Sequence, residues 1–392
     1  MHAAFFDMIV IDATPLQTGH RYRGIGSYTA GLLDAITASH RSIPLGLLVQ
    51  SPHPDDHPLV ADLVRRPGVT AVSLHRPHWR RSRLQWLWGL VTITPVLCRV
   101  RPRLYHAVDG NGLVHVPGVT TVATLYDLIP LHQVRGSFSL RRVDDHLGYA
   151  RYLRLLQRVD RILAISEATK RDAIERLRIP AERITAIPLA VDERRFYARS
   201  SEEIERVLTR HAVRRPYFLH VGSSDPNKNT DNILRAFSQF CRQRPEHALY
   251  IAGKWPIQAL EPLRASYAHL LEASRLRMLD FVPDDDLPAL YSGAEALIYP
   301  SLLEGFGLPV LEAMCCATPV LTSSTSSLPE VAGDAALLVN PHNVEEILWG
   351  MQRLADDSAL RAELVTRGLQ QVKHFTFRRT AEDTLRVYHE LL

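Results

Sequence analysis

The chain has 392 residues, is 46% hydrophobic and carries a net charge of +4, which is length and apolar content for two domains with a core in each. Its cysteines, at 98, 241, 315 and 316, exclude a disulfide framework and a metal-ligand spacing, and the longest apolar run, Trp86–Cys98 with Pro95 inside it, is too short to span a bilayer. No basic stretch followed by an apolar run marks a secretory signal near Met1, so a reducing cytoplasm is the expected compartment, in solution or on the inner face of a membrane.

Met8–Asp12 reads as a short strand. The loop Ala13–Arg23 follows, and Gly24-Ile-Gly26 opens a helix reaching about Ala38. These glycines let backbone approach a bound group closely. Thr29 stands where a dinucleotide fingerprint needs its third glycine, and the loop is too long for that motif's tight turn, which disfavours a nicotinamide enzyme. Leu45–Gln50 and Val69–Leu74 are predicted strands joined by a Pro/Asp/His loop. The basic, tryptophan-rich segment Arg76–Trp88 fits either a packed helix with an exposed arginine end or an amphipathic patch for a membrane interface or lipid-linked acceptor. Leu104–His106 and Thr120–Tyr126 are further strands. Tyr126 can donate one hydrogen bond; Asp127 is either a proton acceptor or a turn residue.

Leu140–Gln157 is an arginine-rich helix, Asp160–Ile165 a strand, Ser166 a helix cap, and Arg183–Pro188 closes the first alternation. Alternation of this length implies a parallel, doubly wound sheet. Residues 1–196 hold 26 basic and 17 acidic side chains (+9), and residues 197–392 hold 20 and 25 (−5). A basic first half suits an anionic partner or anionic lipid, and equally a solvated arginine-rich surface. It is the only feature that would support nucleic-acid binding.

A second alternation begins at Tyr217–Gly222. The loop Ser223–Asn229 leads into the helix Thr230–Arg242 and sets Lys228 at the carboxyl end of a strand, where open α/β sheets bind ligands. Lys228 is a compact cation suited to a diphosphate; taken alone it reads as an ordinary exposed lysine. Ala248–Ala252, Met278–Val282 and Ala294–Tyr299 are predicted strands. Asp284-Asp-Asp286 contains a metal-type Asp-x-Asp, but a helix follows at once and capping accounts for it better. The central stretch is Tyr299–Met314: a strand end, a loop with Glu304, Gly305, Phe306 and Gly307, then a helix opened by Leu308-Pro309 with Glu312 one turn inside. The first amides of that helix lack internal partners and, with its dipole, suit a phosphate. Glu304 and Glu312 would repel a phosphate they touched, so they suit hydroxyls beside it. Phosphate flanked by polyol hydroxyls describes a nucleotide sugar.

Glu304 and Glu312, with Gly-Phe-Gly-Leu-Pro between them, resemble the signature of retaining nucleotide-sugar transferases of glycosyltransferase family 4, mannosyltransferase-like enzymes among them. The likeness covers nearly the whole chain and is densest at 216–230 and 278–340. It implies a GT-B fold of two Rossmann-like doubly wound domains facing a cleft: residues 1–196 on the acceptor side, 197–375 holding the donor, and a terminal helix, 376–392, returning to the first domain. It implies that Glu312 binds ribose hydroxyls, Glu304 the transferred hexose, and Lys228 with the Gly305–Leu308 backbone the diphosphate. Backbone near Val282 meets the base, while Gly24, Gly26, Tyr126 and Asp127 line the acceptor side. Relatives often carry arginine where Ser223 and Asn227 stand, leaving more charge neutralisation to Lys228, and histidine where Tyr126 stands. Ala317 replaces their usual glycine. Retention by front-face attack, without metal or cofactor, is implied, using GDP-mannose first and UDP-hexoses next to extend a saccharide or lipid-linked acceptor for a cell-surface glycan. A nucleotide-sugar epimerase of the same architecture, or an inactive partner in glycan assembly, are the alternatives.

Overall fold

The computed structural model describes residues 8–18, 24–39, 44–51, 58–75, 89–132 and 143–392. The chain divides into two compact units, Met1–Ala190 with Phe377–Leu392, and Val191–Thr376. Residues 191–196 fall in the second unit because Val191 N–H donates to the Phe375 carbonyl at 3.2 Å and the Phe196 ring meets Tyr291 edge-on at 6.3 Å.

The first unit is a seven-stranded parallel sheet: β1 (Ile9–Asp12), β2 (Leu45–Ser51), β3 (Val69–His75), β4 (Leu104–Ala107), β5 (Thr120–Leu125), β6 (Arg161–Ala164) and β7 (Ile184–Ala186), in the order β3-β2-β1-β4-β5-β6-β7. Ile9 pairs with Leu45 on one side and Leu104 on the other. A parallel sheet covered on both faces buries every strand residue, so its strands read as unbroken apolar runs; all four residues of β1 and of β4 are buried. Ser166 caps the helix Glu167–Leu177 as expected, its Oγ accepting from Thr169 N–H at 3.0 Å. The loop expected between β2 and β3 holds a helix, Pro58–Val64. Proline at its first position is preset for a helix, and Val60 and Leu63 anchor it in the core. The Arg76–Trp88 segment lies outside the described residues. No helix among the described residues is long and apolar enough to cross a membrane.

The C-terminal helix Phe377–Leu391 belongs to this unit and lies along Gly24–Ser39. Gly31 makes the crossing possible, since a Cβ there would overlap the Phe377 ring. At its far end Tyr388 Oη lies 2.6 Å from His106 Nδ1, and the other ring nitrogen lies 2.8 Å from Thr124 Oγ1. Burial pushes the pKa of His106 down to about 3, so the imidazole is neutral.

Asp12 ends β1 fully buried. Its Oδ1 accepts from Thr14 N–H at 2.9 Å, while Oδ2 has no partner among the described residues, and burial pushes its pKa up to about 7. The folded state therefore holds this proton more tightly than the unfolded chain does. The stabilisation is complete below the unfolded value of 3.8 and is lost as pH rises through 7. Asp12→Asn keeps the acceptor for Thr14 and removes the titration. It is expected to raise the first unit's melting temperature at pH 8 by about 5 °C or more, on the order of 2–4 kcal/mol, with the gain shrinking steadily towards pH 5. A gain of equal size at both pH values would refute this account.

The second unit is a six-stranded parallel sheet: β8 (Tyr217–Val221), β9 (Ala248–Ala252), β10 (Leu276–Asp280), β11 (Ala296–Tyr299), β12 (Val320–Ser323) and β13 (Leu337–Val339), in the order β10-β9-β8-β11-β12-β13. β10 stops before the expected Val282 because the register shifts at Asp280, whose φ is +52°. After the helix Leu308–Cys315, Thr318 N–H donates to the Ala313 carbonyl and Ala317 N–H to Met314, closing the turn with Ala317 at φ +55°. That position favours glycine, and alanine there carries roughly 1–2 kcal/mol of strain.

Candidate active site

In a doubly wound sheet, ligands bind at the carboxyl ends of the strands where the order reverses. In the second unit that point lies between β8 and β11, and the two loops leaving those strands carry the site. Loop Gly222–Asn229 is shaped by Asp225, whose carboxylate accepts from Asn227 N–H at 3.0 Å. It is tied to the other loop by Leu302 N–H donating to the Asn227 carbonyl at 2.8 Å and by Asn229 Nδ2 donating to the Pro300 carbonyl at 2.9 Å. Asn229 sits at φ +59°, which turns the chain from Lys228 into the helix Thr230–Gln243.

These ties bring Lys228 to Glu304. Lys228 Nζ donates to Glu304 Oε1 at 2.7 Å and to Tyr299 Oη at 2.8 Å, and Tyr299 Oη in turn donates to Glu304 Oε1 at 2.7 Å. The lysine side chain is 23% exposed and the glutamate 11%, so the pair is reachable from one side only. Burial works against the ammonium, but the Tyr299 oxygen and the Glu304 carboxylate outweigh it and hold Lys228 above its usual pKa. Behind Tyr299, His220 donates from Nδ1 to the Ile298 carbonyl at 2.8 Å, and burial lowers its pKa to about 4. It is a neutral support.

The glutamate loop is braced from the turn that follows β12. Ser326 Oγ accepts from Glu304 N–H at 3.0 Å and donates to the Glu304 carbonyl at 2.7 Å, while Ser327 Oγ donates to the Phe306 carbonyl at 2.8 Å. Phe306 is a buried anchor set edge-on to Phe375 at 5.8 Å, so only its backbone faces the loop. Gly307 has φ +111°, and a Cβ on it would overlap Leu328; glycine is required on both counts. It is the N-cap of Leu308–Cys315 and offers no side chain, and the Gly307 and Leu308 amides have no partner among the described residues. Such amides at a helix start suit an anion, and Lys228 is held to the same loop through Glu304.

Glu312 lies on the same helix, its Oε2 accepting from Tyr291 Oη at 2.9 Å. Burial pushes its pKa up to about 7, against the Tyr291 hydrogen bond and the nearby Arg195 guanidinium. Arg195 in turn pairs with Asp284 at 2.9 Å. Asp286 stands at the N-cap of Leu287–Gly293 but does not cap it, contrary to expectation. Its carboxylate is taken by Arg210 at 2.7 Å and His211 at 2.8 Å, a stronger offer than two backbone amides. Ser223 is exposed within the Gly222–Asn229 loop and Val282 is buried. Tyr299, Tyr291, Ser326 and Ser327 hold the site residues but carry no signal in the sequence, where they read as strand-end, core or loop residues.

The remaining predicted residues lie in the first unit. Gly24 and Gly26 form the first turn of Gly24–Ser39. Tyr126 follows β5, with its ring edge-on to Tyr28 at 5.9 Å; its buried hydroxyl has no partner among the described residues. Asp127 Oδ1 accepts from Ile129 N–H at 3.0 Å, the geometry of a turn residue.

The fold and the switch-point site together define the GT-B class. Solved structures share it: the Anabaena protein HepE in complex with UDP and glucose superposes with a TM-score of 0.69 at 16% identity, covering 98% of this chain and 100% of that one. WaaG, a glycosyltransferase of lipopolysaccharide biosynthesis, does so at 0.69 and 15%, covering 97% and 99%. The profile of the Glycosyl transferases group 1 matches residues 201–371, and that of Glycosyltransferase Family 4 matches residues 22–195. The chain belongs to the group 1 glycosyltransferases of the family 4 type, as the Pro300–Met314 run led one to expect. It is 34% identical over 231 residues to the O-antigen chain mannosyltransferase B of Escherichia coli, 58% of this chain and 60% of that one. It is 28% identical over 410 residues to a serotype-specific mannosyltransferase of Escherichia coli, 98% of this chain and 48% of that one. The chain thus spans about half of the length of these relatives.

Proposed function

We propose that this chain transfers a hexose, mannose by preference, from a nucleoside-diphosphate sugar to a saccharide or lipid-linked acceptor in the assembly of a cell-surface polysaccharide. The observation that carries the reading is the Lys228–Glu304 pair set against the unpartnered Gly307 and Leu308 amides at the switch point. A cation and helix-start amides suit a diphosphate, and a carboxylate beside them suits sugar hydroxyls. In this reading Lys228 and the Gly305–Leu308 backbone stabilise the charge that grows on the departing diphosphate. Glu304 accepts from the hexose, Glu312 accepts from the ribose, Ser223 lies at the phosphates, and backbone near Val282 meets the base. The bond from the anomeric carbon to the phosphate oxygen breaks as the acceptor oxygen bonds to that carbon. The acceptor attacks from the face that the phosphate leaves, so configuration is retained; its proton passes to the leaving phosphate, and no metal takes part. Gly24, Gly26, Tyr126 and Asp127 serve the acceptor. The mannosyltransferase relatives support mannose as the sugar; GDP-mannose is then the first donor to test and UDP-hexoses the next, and the basic first half suits peripheral contact with the inner face of a membrane.

The test is a thermal-shift panel of nucleoside diphosphates followed by turnover with the matching sugar donor. A ligand at 100 times its dissociation constant stabilises by about 2.7 kcal/mol, or roughly 5–10 °C for a unit of this size. GDP is expected to give the largest shift, and GDP-mannose with an acceptor to give product. Absence of any shift across the panel would defeat the reading.

A further inference from the structure

Tyr299 is the last residue of β11 and is 1% exposed. A tyrosine so placed needs a hydrogen-bond partner for its hydroxyl, and a backbone carbonyl would serve. Instead its Oη sits between the two charged groups of the site, accepting from Lys228 Nζ at 2.8 Å and donating to Glu304 Oε1 at 2.7 Å. The ammonium also lies 5.3 Å from the centre of the phenol ring. The backbone around it is fixed independently: Thr322 Oγ1 donates to the Tyr299 carbonyl at 2.9 Å, and β11 pairs with β12 at Tyr299 and Thr322. The ring is therefore held by the sheet, whereas Lys228 and Glu304 are both long side chains on loops. Left to themselves, two such chains pair in many geometries. A hydroxyl bonded to both selects one.

Resting on the reading that Lys228 and Glu304 take the donor, we propose that Tyr299 is a positioning residue that presets them as one unit. The phenol fixes the Glu304 oxygen that faces the lysine, which leaves the other carboxylate oxygen for sugar hydroxyls. It also aims Nζ, whose third hydrogen is left for a phosphate oxygen. Tyr299 meets no reacting atom; it acts through its two partners.

The experiment is a double-mutant cycle. Tyr299→Phe removes one oxygen from a ring that the sheet retains, so its melting temperature is expected to stay within about 2 °C of wild type. Its kcat is expected to fall about 10–50-fold, with a smaller change in the donor KM. In the Glu304→Leu or Lys228→Met background the same change is expected to cost less than threefold, because the hydroxyl then has only one partner to hold. A residue serving only the core would lower stability and act equally in all backgrounds, so an additive cycle, or wild-type kcat in Tyr299→Phe, overturns the proposal. If Glu304→Leu and Lys228→Met themselves keep wild-type turnover, it is the donor-site reading that fails.

Discussion

Replacing Lys228 or Glu304 by alanine is expected to lower turnover 10²–10³-fold while the fold survives, and the two variants are expected to fail in different ways. Lys228→Ala removes the cation and leaves the Glu304 carboxylate, 11% exposed, beside the amides where the diphosphate is to sit. That uncompensated charge repels the donor, so affinity falls together with kcat, and the loss of one preorganised charge contact in the transition state accounts for 10²–10³. Glu304→Ala frees Lys228 from its 2.7 Å partner. The ammonium keeps only Tyr299 and turns fully to phosphate, so nucleotide affinity is maintained or rises while kcat collapses. The double variant is expected to bind nucleotide better than Lys228→Ala alone, since the repelling carboxylate is gone. Their effects are coupled, and adding them as independent terms overstates the loss. Steady-state kinetics with calorimetric nucleotide binding measures all three. Near-wild-type turnover in both single variants would remove these roles, whatever the melting temperatures.

The parallel strands were legible in the sequence because a covered sheet has no solvent face, so Ile9–Asp12 or Ala296–Tyr299 show as apolar runs with breakers at each end. The loop Glu304–Leu308 was legible because glycine at 307 is required by its φ of +111° and proline at 309 is preset for a first helical turn. Physical signals of that kind survive without any partner in view. What was hidden depends on groups far apart in the chain. Lys228 and Glu304 read separately as an exposed lysine and a hydroxyl acceptor, and nothing local says that they meet. Asp286 reads as a cap because the donors that win its carboxylate from the backbone amides, Arg210 and His211, lie 75 residues or more away. Pro58–Val64 was hidden because seven residues are too few to show a helical period beside a polar loop, and only burial of Val60 and Leu63 fixes it. Tyr299 looks like any core tyrosine; its hydroxyl gains meaning only from what the two loops bring to it.

Nucleotide affinity is expected to rise with pH through 7, and Glu312 is the reason. The roles differ in the two protonation states: the ionised carboxylate accepts from two ribose hydroxyls, whereas the neutral acid offers one oxygen fewer as a strong acceptor. Its pKa, pushed up from 4.5 to about 7 by burial, places the change within the working range. Below pH 7 a bound donor must first displace the proton, and affinity should fall towards tenfold per pH unit. Glu312→Gln is expected to weaken GDP binding about 10–100-fold, from loss of charged hydrogen bonds at roughly 1.5–3 kcal/mol, and to flatten the pH dependence. The stability change has the opposite sign. For a carboxyl whose folded pKa is raised, stability is fully present below 4.5 and lost as pH rises through 7. The glutamine escapes this penalty and still accepts from Tyr291 Oη, so at pH 8 it is expected to be more stable by on the order of 2 kcal/mol. A variant that binds nucleotide worse yet melts higher, with both differences shrinking at pH 5, is the signature of a carboxylate kept for ligand rather than for the fold. If Glu312→Gln instead melts lower at pH 8, or binds GDP as wild type does, the ribose role is wrong.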